Sequence, residues 1–121
     1  PMPDPKRGGP ATLVKAGNTT ILVDAGRAVV MRLTAAGTLP IFLNAVLITH
    51  LHSDHLTDLN DVITTHYIMS QSETPLHIYG PPRTQEVVDA TRGSVVLECL
   101  LPEQAIARPV VAGVWNVAVG E

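Results

Sequence analysis

Thr49-His50-Leu51-His52-Ser53-Asp54-His55 is the stretch whose reading decides the fold. Positions 50–55 hold three of the chain's five histidines together with an aspartate. The apolar run Ala45-Val46-Leu47-Ile48 just before it has the character of a buried strand, so the polar cluster starts where that strand ends. While the backbone stays extended, side chains two apart project to one side, and His50 and His52 can reach one ion. Asp54 and His55 are adjacent, so they converge only if the chain turns, as it does at the onset of a helix. They would then face a second ion roughly 3.5–4 Å from the first, the spacing at which two metals share an attacking hydroxide. Imidazole and carboxylate without thiolate suit zinc and leave manganese and iron open. A lone histidine is more often a surface or satisfied core residue. Three beside an aspartate at one strand end have no such economical explanation, because burying that many polar groups without compensation is unfavourable.

Upstream of this stretch, residues 1–10 hold four prolines and two glycines and predict an irregular lead-in, by default a terminal arm. Residues 11–16 and 19–23 are β-rich and joined by Gly17-Asn18, which predicts a hairpin with a type II′ turn. Asp24 closes the second strand at Ala25-Gly26, where its carboxylate can accept backbone or imidazole hydrogen bonds or serve as an ordinary turn residue. Val29, Val30, Leu33 and Ala36 give helical spacing over 27–36, with Gly37 and Pro40 as stop signals. Residues 39–44 lead back to the sheet.

Downstream, Leu56, Leu59, Ile63 and Tyr67 recur at three and four, predicting one amphipathic helix over 56–68. Asp58 and Asp61 near its start suit solvated, dipole-complementing positions rather than metal binding. His66 shares the apolar face and reads as a packing or hydrogen-bonded residue. Residues 76–79 predict a strand, closed by Gly80-Pro81-Pro82 and followed by a helix over 84–91. His77, inside that strand, reads as structural. Residues 94–98 and 110–119 are β-prone, with Pro102 and Pro109 between them, and the tail 93–121 carries no assignable motif.

Composition sets outer bounds. With 121 residues, 45% hydrophobic and 16% charged, the chain is one globular unit rather than a disordered tail. Eight basic against eleven acidic residues give a net charge of −3, so nothing advertises a nucleic-acid surface. The single cysteine, Cys99, excludes an internal disulfide and suits a buried inert thiol. No segment resembles a signal peptide and no apolar run approaches ~18 residues, so no membrane partner is expected and the cytoplasm is the default compartment.

His50-Leu51-His52-Ser53-Asp54-His55 resembles the H-x-H-x-D-H signature of the metallo-β-lactamase fold superfamily. Arg7-Gly8-Gly9-Pro10, Leu22-Val23-Asp24-Ala25-Gly26 and Ile78-Tyr79-Gly80-Pro81-Pro82 resemble its ribonuclease Z branch, the tRNA 3′-processing endonucleases, with their arylsulfatase-like neighbours. The resemblance implies an α/β fold, the αββα sandwich, of which this chain covers roughly the first half. The family-like part is 11–92, within a partial domain spanning 1–121. It further implies a binuclear zinc hydrolase, with Asp54 both a metal ligand and the proton acceptor, His50 and His52 on the first ion, and His55 with Asp54 on the second. Asp24 would lie under the metal site as an outer support. The proline-and-arginine loop would lie near substrate and Gly80 at the rim. The tRNA-cutting members commonly follow the arginine with Asn and a small polar residue, where this chain has Gly8-Gly9.

The implied reaction is attack of a metal-bound hydroxide, its water pKa lowered towards ~7, on a phosphodiester. The substrate expected on this resemblance is the 3′ end of a tRNA precursor. The alternatives are a small phosphodiester or ester, cleaved by an arylsulfatase-like enzyme, a cyclic-nucleotide phosphodiesterase or a lactonase, and an inactive metal-binding remnant. A homodimer is left open. Two catalytic zincs together take about six protein ligands. The remaining ones are expected from later strands of a longer chain.

Overall fold

The computed structural model describes residues 2–70 and 75–93. The β-prone segments expected over 94–98 and 110–119, and Cys99, lie outside the described residues. In chain order the elements are β1 (Thr12–Ala16), β2 (Thr19–Val23), α1 (Val29–Ala35), a 3₁₀ turn (Pro40–Phe42), β3 (Ala45–Leu47), α2 (Ser53–Leu56), α3 (Leu59–Ser70), β4 (Ile78–Tyr79) and α4 (Thr84–Gly93).

The four strands form one sheet in the order β1-β2-β3-β4. β1 and β2 are the expected hairpin, antiparallel with Ala16 opposite Thr19. Gly17 takes the positive φ (58°) that a Gly-first two-residue turn requires. β2, β3 and β4 run parallel, and a row of apolar residues crosses them in register, Leu22 beside Val46 beside Ile78. All three are buried, and α1 and α3 supply Val29, Leu33, Leu59, Val62 and Ile63 to the same core. Each such side chain contributes about 1.5–3 kcal/mol relative to exposure, so this row fixes which strand lies next to which.

Three expectations need correction. The single helix over 56–68 is two helices, broken at Thr57-Asp58. The apolar spacing runs through the break, but the backbone there is engaged by another loop. His55 O accepts from Ala25 N (2.8 Å) and Asp58 N donates to Ala25 O (3.0 Å). The strand over 76–79 shortens to Ile78–Tyr79, so His77 precedes it rather than lying inside it. Its carbonyl still accepts from Val46 N at 2.8 Å. The lead-in is docked rather than a free arm. Gly9 N donates to Arg27 O (2.8 Å), Gly26 N donates to Pro10 O (3.0 Å), and the Arg32 guanidinium bonds Lys6 O.

Candidate metal centre

Parallel pairing of β2 with β3 sets their carboxyl ends side by side, the usual place for ligands in an open α/β sheet. The chemistry-bearing residues are the first ones past those ends. Asp24 follows β2, its N–H bonded to Leu47 O at 2.8 Å, and Thr49 and His50 follow the last apolar residue of the β3 segment. Asp24 sits in the left-handed region (φ 63°), a strained setting that Asp tolerates better than most residues.

The Asp24 carboxylate is buried and fully engaged. Its Oδ1 accepts from Thr49 N (2.8 Å), the Thr49 hydroxyl lies 3.0 and 2.8 Å from its two oxygens, and its Oδ2 is 2.7 Å from His55 Nδ1. Burial pushes the Asp24 pKa up, but the hydrogen bonds from Thr49 and His55 and the pairing with His55 outweigh it and hold the carboxyl below its ordinary 3.8.

His55 contacts this carboxylate, and the His50 and His52 rings follow from it in turn. His52 is extended (φ −71°, ψ 144°) and α2 begins at Ser53, so the chain passes from extended to helical between the ligand candidates. The His50 ring centroid is 4.5 Å from that of His52 and 4.0 Å from that of His55. Nδ1 of His50 contacts the Thr49 hydroxyl at 2.9 Å, and Nδ1 of His55 contacts Asp24, which leaves both Nε2 atoms for other partners. Asp54 Oδ2 stands 3.8 Å from His55 Nε2. Two ligand atoms each about 2.1 Å from a tetrahedral zinc lie roughly 3.4 Å apart, so this pair would have to close slightly to share one cation. Among the described residues, no group of three or more His, Cys, Asp or Glu side chains closes tightly enough to hold an ion. The donor chemistry, imidazole with carboxylate, fits a divalent metal, and the set is open rather than a closed cage.

Beside Asp54 lies a cavity of about 640 Å³, whose lining includes Arg7, Gly8, Arg27, Ser53, Asp54 and Thr57. Among the described residues neither Arg7 nor Arg27 has an ion-pair partner. Backbone contact between Gly9-Pro10 and Gly26-Arg27 brings both onto one wall. A Cβ on Gly26 would fall 2.6 Å from Pro10 N and 2.7 Å from Asp54 O, so the approach requires glycine there.

The remaining sequence candidates sit elsewhere. Asp58, expected as a solvated cap, is half-buried and its Oδ2 accepts the N–H of Ala28, fixing the start of α1. Asp61 stays exposed in the first turn of α3. His66 is buried with Nδ1 3.1 Å from Pro40 O. His77 has a buried Nδ1 without a hydrogen-bond partner among the described residues. Gly80, expected at the rim, is buried, and a Cβ there would strike Thr84 Oγ1 at 2.4 Å. Sequence reasoning gave Thr49 and Arg27 no role. The signal for Thr49 was its place as the first polar residue after the strand, whereas an exposed arginine after a glycine carries none.

Structural comparison finds the crystal structure of human tRNase Z, short form, at a TM-score of 0.66 and 28% identity, covering 75% of this chain and 34% of that one. It also finds the metallo-β-lactamase fold protein YhfI of Bacillus subtilis at a TM-score of 0.61 and 29% identity, covering 73% and 35%. The architecture is therefore that of the metallo-β-lactamase fold. Within it, the chain belongs to the family described as anti-Pycsar protein Apyc1, whose model matches residues 10–91. Its relatives include the ribonuclease Z of Mycobacterium bovis (strain BCG / Pasteur 1173P2), 52% identical over 93 residues, 75% of this chain and 33% of the relative. That of Mycobacterium marinum is 50% identical over 92 residues, covering 74% and 33%. The chain spans about a third of the length of these relatives. Among the described residues no helix is long and apolar enough to cross a membrane.

Proposed function

We propose that this chain carries one side of the active site of a zinc-dependent phosphodiesterase of the ribonuclease Z type, acting on the 3′ ends of tRNA precursors. The observation that carries the reading is the Asp24–His55 bond at 2.7 Å with the His50 and His52 rings gathered beside it. A carboxylate on the distal nitrogen of a histidine is the usual outer support of a ligating imidazole. The ribonuclease Z relatives support the choice of substrate.

In this reading His50 and His52 hold one ion and His55 and Asp54 the other. Zinc, when bound, supplies Lewis acidity towards water and the phosphorus centre. The chain's own residues do the rest. Asp24 holds Nδ1 of His55 and leaves its Nε2 for the ion, and the carboxylate of Asp54, which lines the cavity, takes the proton of the attacking water. Arg7 and Arg27 hold phosphate oxygens in the cavity, where two guanidiniums without an ion-pair partner among the described residues suit a phosphodiester.

A second reading, hydrolysis of a small phosphodiester or ester, is favoured by the net charge of −3 and by a cavity within the ~300–1,000 Å³ range of small-molecule sites. Zinc-dependent turnover of bis(p-nitrophenyl) phosphate tests the chemistry, and a tRNA precursor competing against a cyclic nucleotide tests the substrate. In a protein that also supplies the remaining ligands, loss of turnover in a folded His50→Ala variant is expected. Turnover undiminished in that variant, or no zinc bound by the wild-type chain, removes the proposal.

A further inference from the structure

We infer that Thr49 is a positioning residue that passes the orienting effect of Asp24 on to His50, so that one buried carboxylate sets the ring protons of two histidines at once. The inference rests on the proposed ligand role of His50 and adds to it a residue whose side chain binds no metal.

The argument is a count of protons. The Thr49 hydroxyl has one hydrogen and stands within hydrogen-bond distance of three atoms, Asp24 Oδ1 (3.0 Å), Asp24 Oδ2 (2.8 Å) and His50 Nδ1 (2.9 Å). A carboxylate cannot donate. If the hydroxyl gave its proton to His50, its oxygen would face two oxygens of the buried Asp24 carboxylate with no hydrogen between them, a repulsive contact even though Thr49 itself is exposed. The satisfied arrangement has Thr49 Oγ1–H donating to Asp24 and His50 Nδ1–H donating to Thr49 Oγ1. His50 then carries its proton on Nδ1 and presents a bare Nε2. Asp24 does the same for His55 without an intermediary, through Nδ1–H to Oδ2 at 2.7 Å.

Both imidazoles therefore expose the same nitrogen in its ligand-competent form, and their rings lie 4.0 Å apart. The geometry is over-determined at Thr49. Its backbone N–H also donates to Asp24 Oδ1 (2.8 Å), so the residue grips the carboxylate at two points. The branched Cβ restricts χ1 and holds the hydroxyl between its partners.

The test uses the full chain, wild type and two variants, Thr49→Val (close in shape, no hydroxyl) and Thr49→Ser (hydroxyl kept). Long-range ¹⁵N–¹H spectra of the histidine rings in metal-free protein report the tautomer directly. Wild type and T49S should show His50 as the Nδ1–H form, and T49V should shift it to Nε2–H. In chelator competition, T49V should bind Zn²⁺ about 10–100-fold more weakly, the usual effect of losing an outer partner, and T49S should restore most of it. An unchanged His50 tautomer in T49V, or T49S behaving as T49V, overturns the inference. Should T49V not fold, the wild-type spectrum alone decides, since a bare Nδ1 on His50 overturns it equally. If wild type binds no Zn²⁺ while the tautomer responds to Thr49, the metal reading fails and the relay stands.

Discussion

His55 Nδ1 lies 2.7 Å from Asp24 Oδ2, joining the residue after β2 to one in α2 across 31 positions of sequence. The same carboxylate takes the N–H and hydroxyl of Thr49, so it ties together the ends of two parallel strands and the helix after them. Its loss should be felt as weakened metal binding and as lower stability.

Asp24→Asn keeps the shape but puts an NH₂ group where one of those donors now points. Zinc affinity should fall about 10–100-fold, the range typical of an outer-shell partner, measured by chelator competition. The pH dependence follows from the lowered Asp24 pKa. A carboxyl held below its ordinary 3.8 contributes stability that is complete above that value and fades as pH falls through the lowered one. Urea unfolding of metal-free protein should therefore show D24N less stable at neutral pH, with the gap narrowing below about pH 4. A gap constant down to pH 2 would contradict the assignment.

Gly26→Ala should disturb the centre without touching any ligand side chain. The added Cβ would come within 2.6 Å of Pro10 N and 2.7 Å of Asp54 O, both backbone-borne, and backbone yields less readily than a side-chain tip. A destabilisation of about 1–3 kcal/mol is expected from such overpacking. Gly37→Ala is the control: its Cβ meets nothing within 4 Å, so only the positive φ (73°) penalises it, by about 1 kcal/mol. Equal midpoints for the two variants in urea would show that close approach at Gly26 is not what selects glycine.

How far the chain could be read in advance follows from which contacts are local. The gathering of the His50, His52 and His55 rings was legible because those residues are neighbours in sequence, and the hairpin was legible because Gly17-Asn18 encodes its own turn. The break at Thr57-Asp58 was not, since Leu56, Leu59 and Ile63 keep helical spacing through it while Ala25, far off in sequence, takes the backbone groups. Proline and glycine in the lead-in announced irregular backbone correctly but said nothing of its docking against Gly26 and Arg27. Asp24 was singled out through the family resemblance, because Asp before Ala-Gly fits any turn. His66 read correctly as a hydrogen-bonded core residue, since a histidine on an apolar helix face needs a partner and Pro40 O supplies one.

Asp58→Ala should loosen the junction between α1 and α2. The carboxylate accepts the N–H of Ala28, which sits in the left-handed region (φ 64°) at the start of α1 and has no other cap. Leaving that part-buried donor unsatisfied should cost about 1–3 kcal/mol, and Asp58→Asn should retain part of the interaction through its carbonyl oxygen. Hydrogen exchange at Ala28 is the sharper measurement. Exchange no faster in Asp58→Ala than in wild type would remove this carboxylate from the account of how α1 begins.

Arg27→Ala separates substrate binding from metal binding. Arg27 lines the cavity that Asp54 borders, its guanidinium has no acidic partner among the described residues, and its backbone is fixed by Gly9 N at 2.8 Å. Removing the side chain should leave the fold and zinc affinity near wild type, because its exposed head group supports no core contact. If the cavity holds a phosphate, the substitution removes a charge-assisted hydrogen bond worth about 1.5–3 kcal/mol, so kcat/KM for a phosphodiester should fall roughly 10–100-fold. The loss should shrink as salt rises, since screening weakens the wild-type contact first. Arg27→Lys should recover only part, because an ammonium supplies the charge without the planar fork. Kinetics indifferent to Arg27 at low salt, with zinc binding intact, would place the substrate outside this cavity.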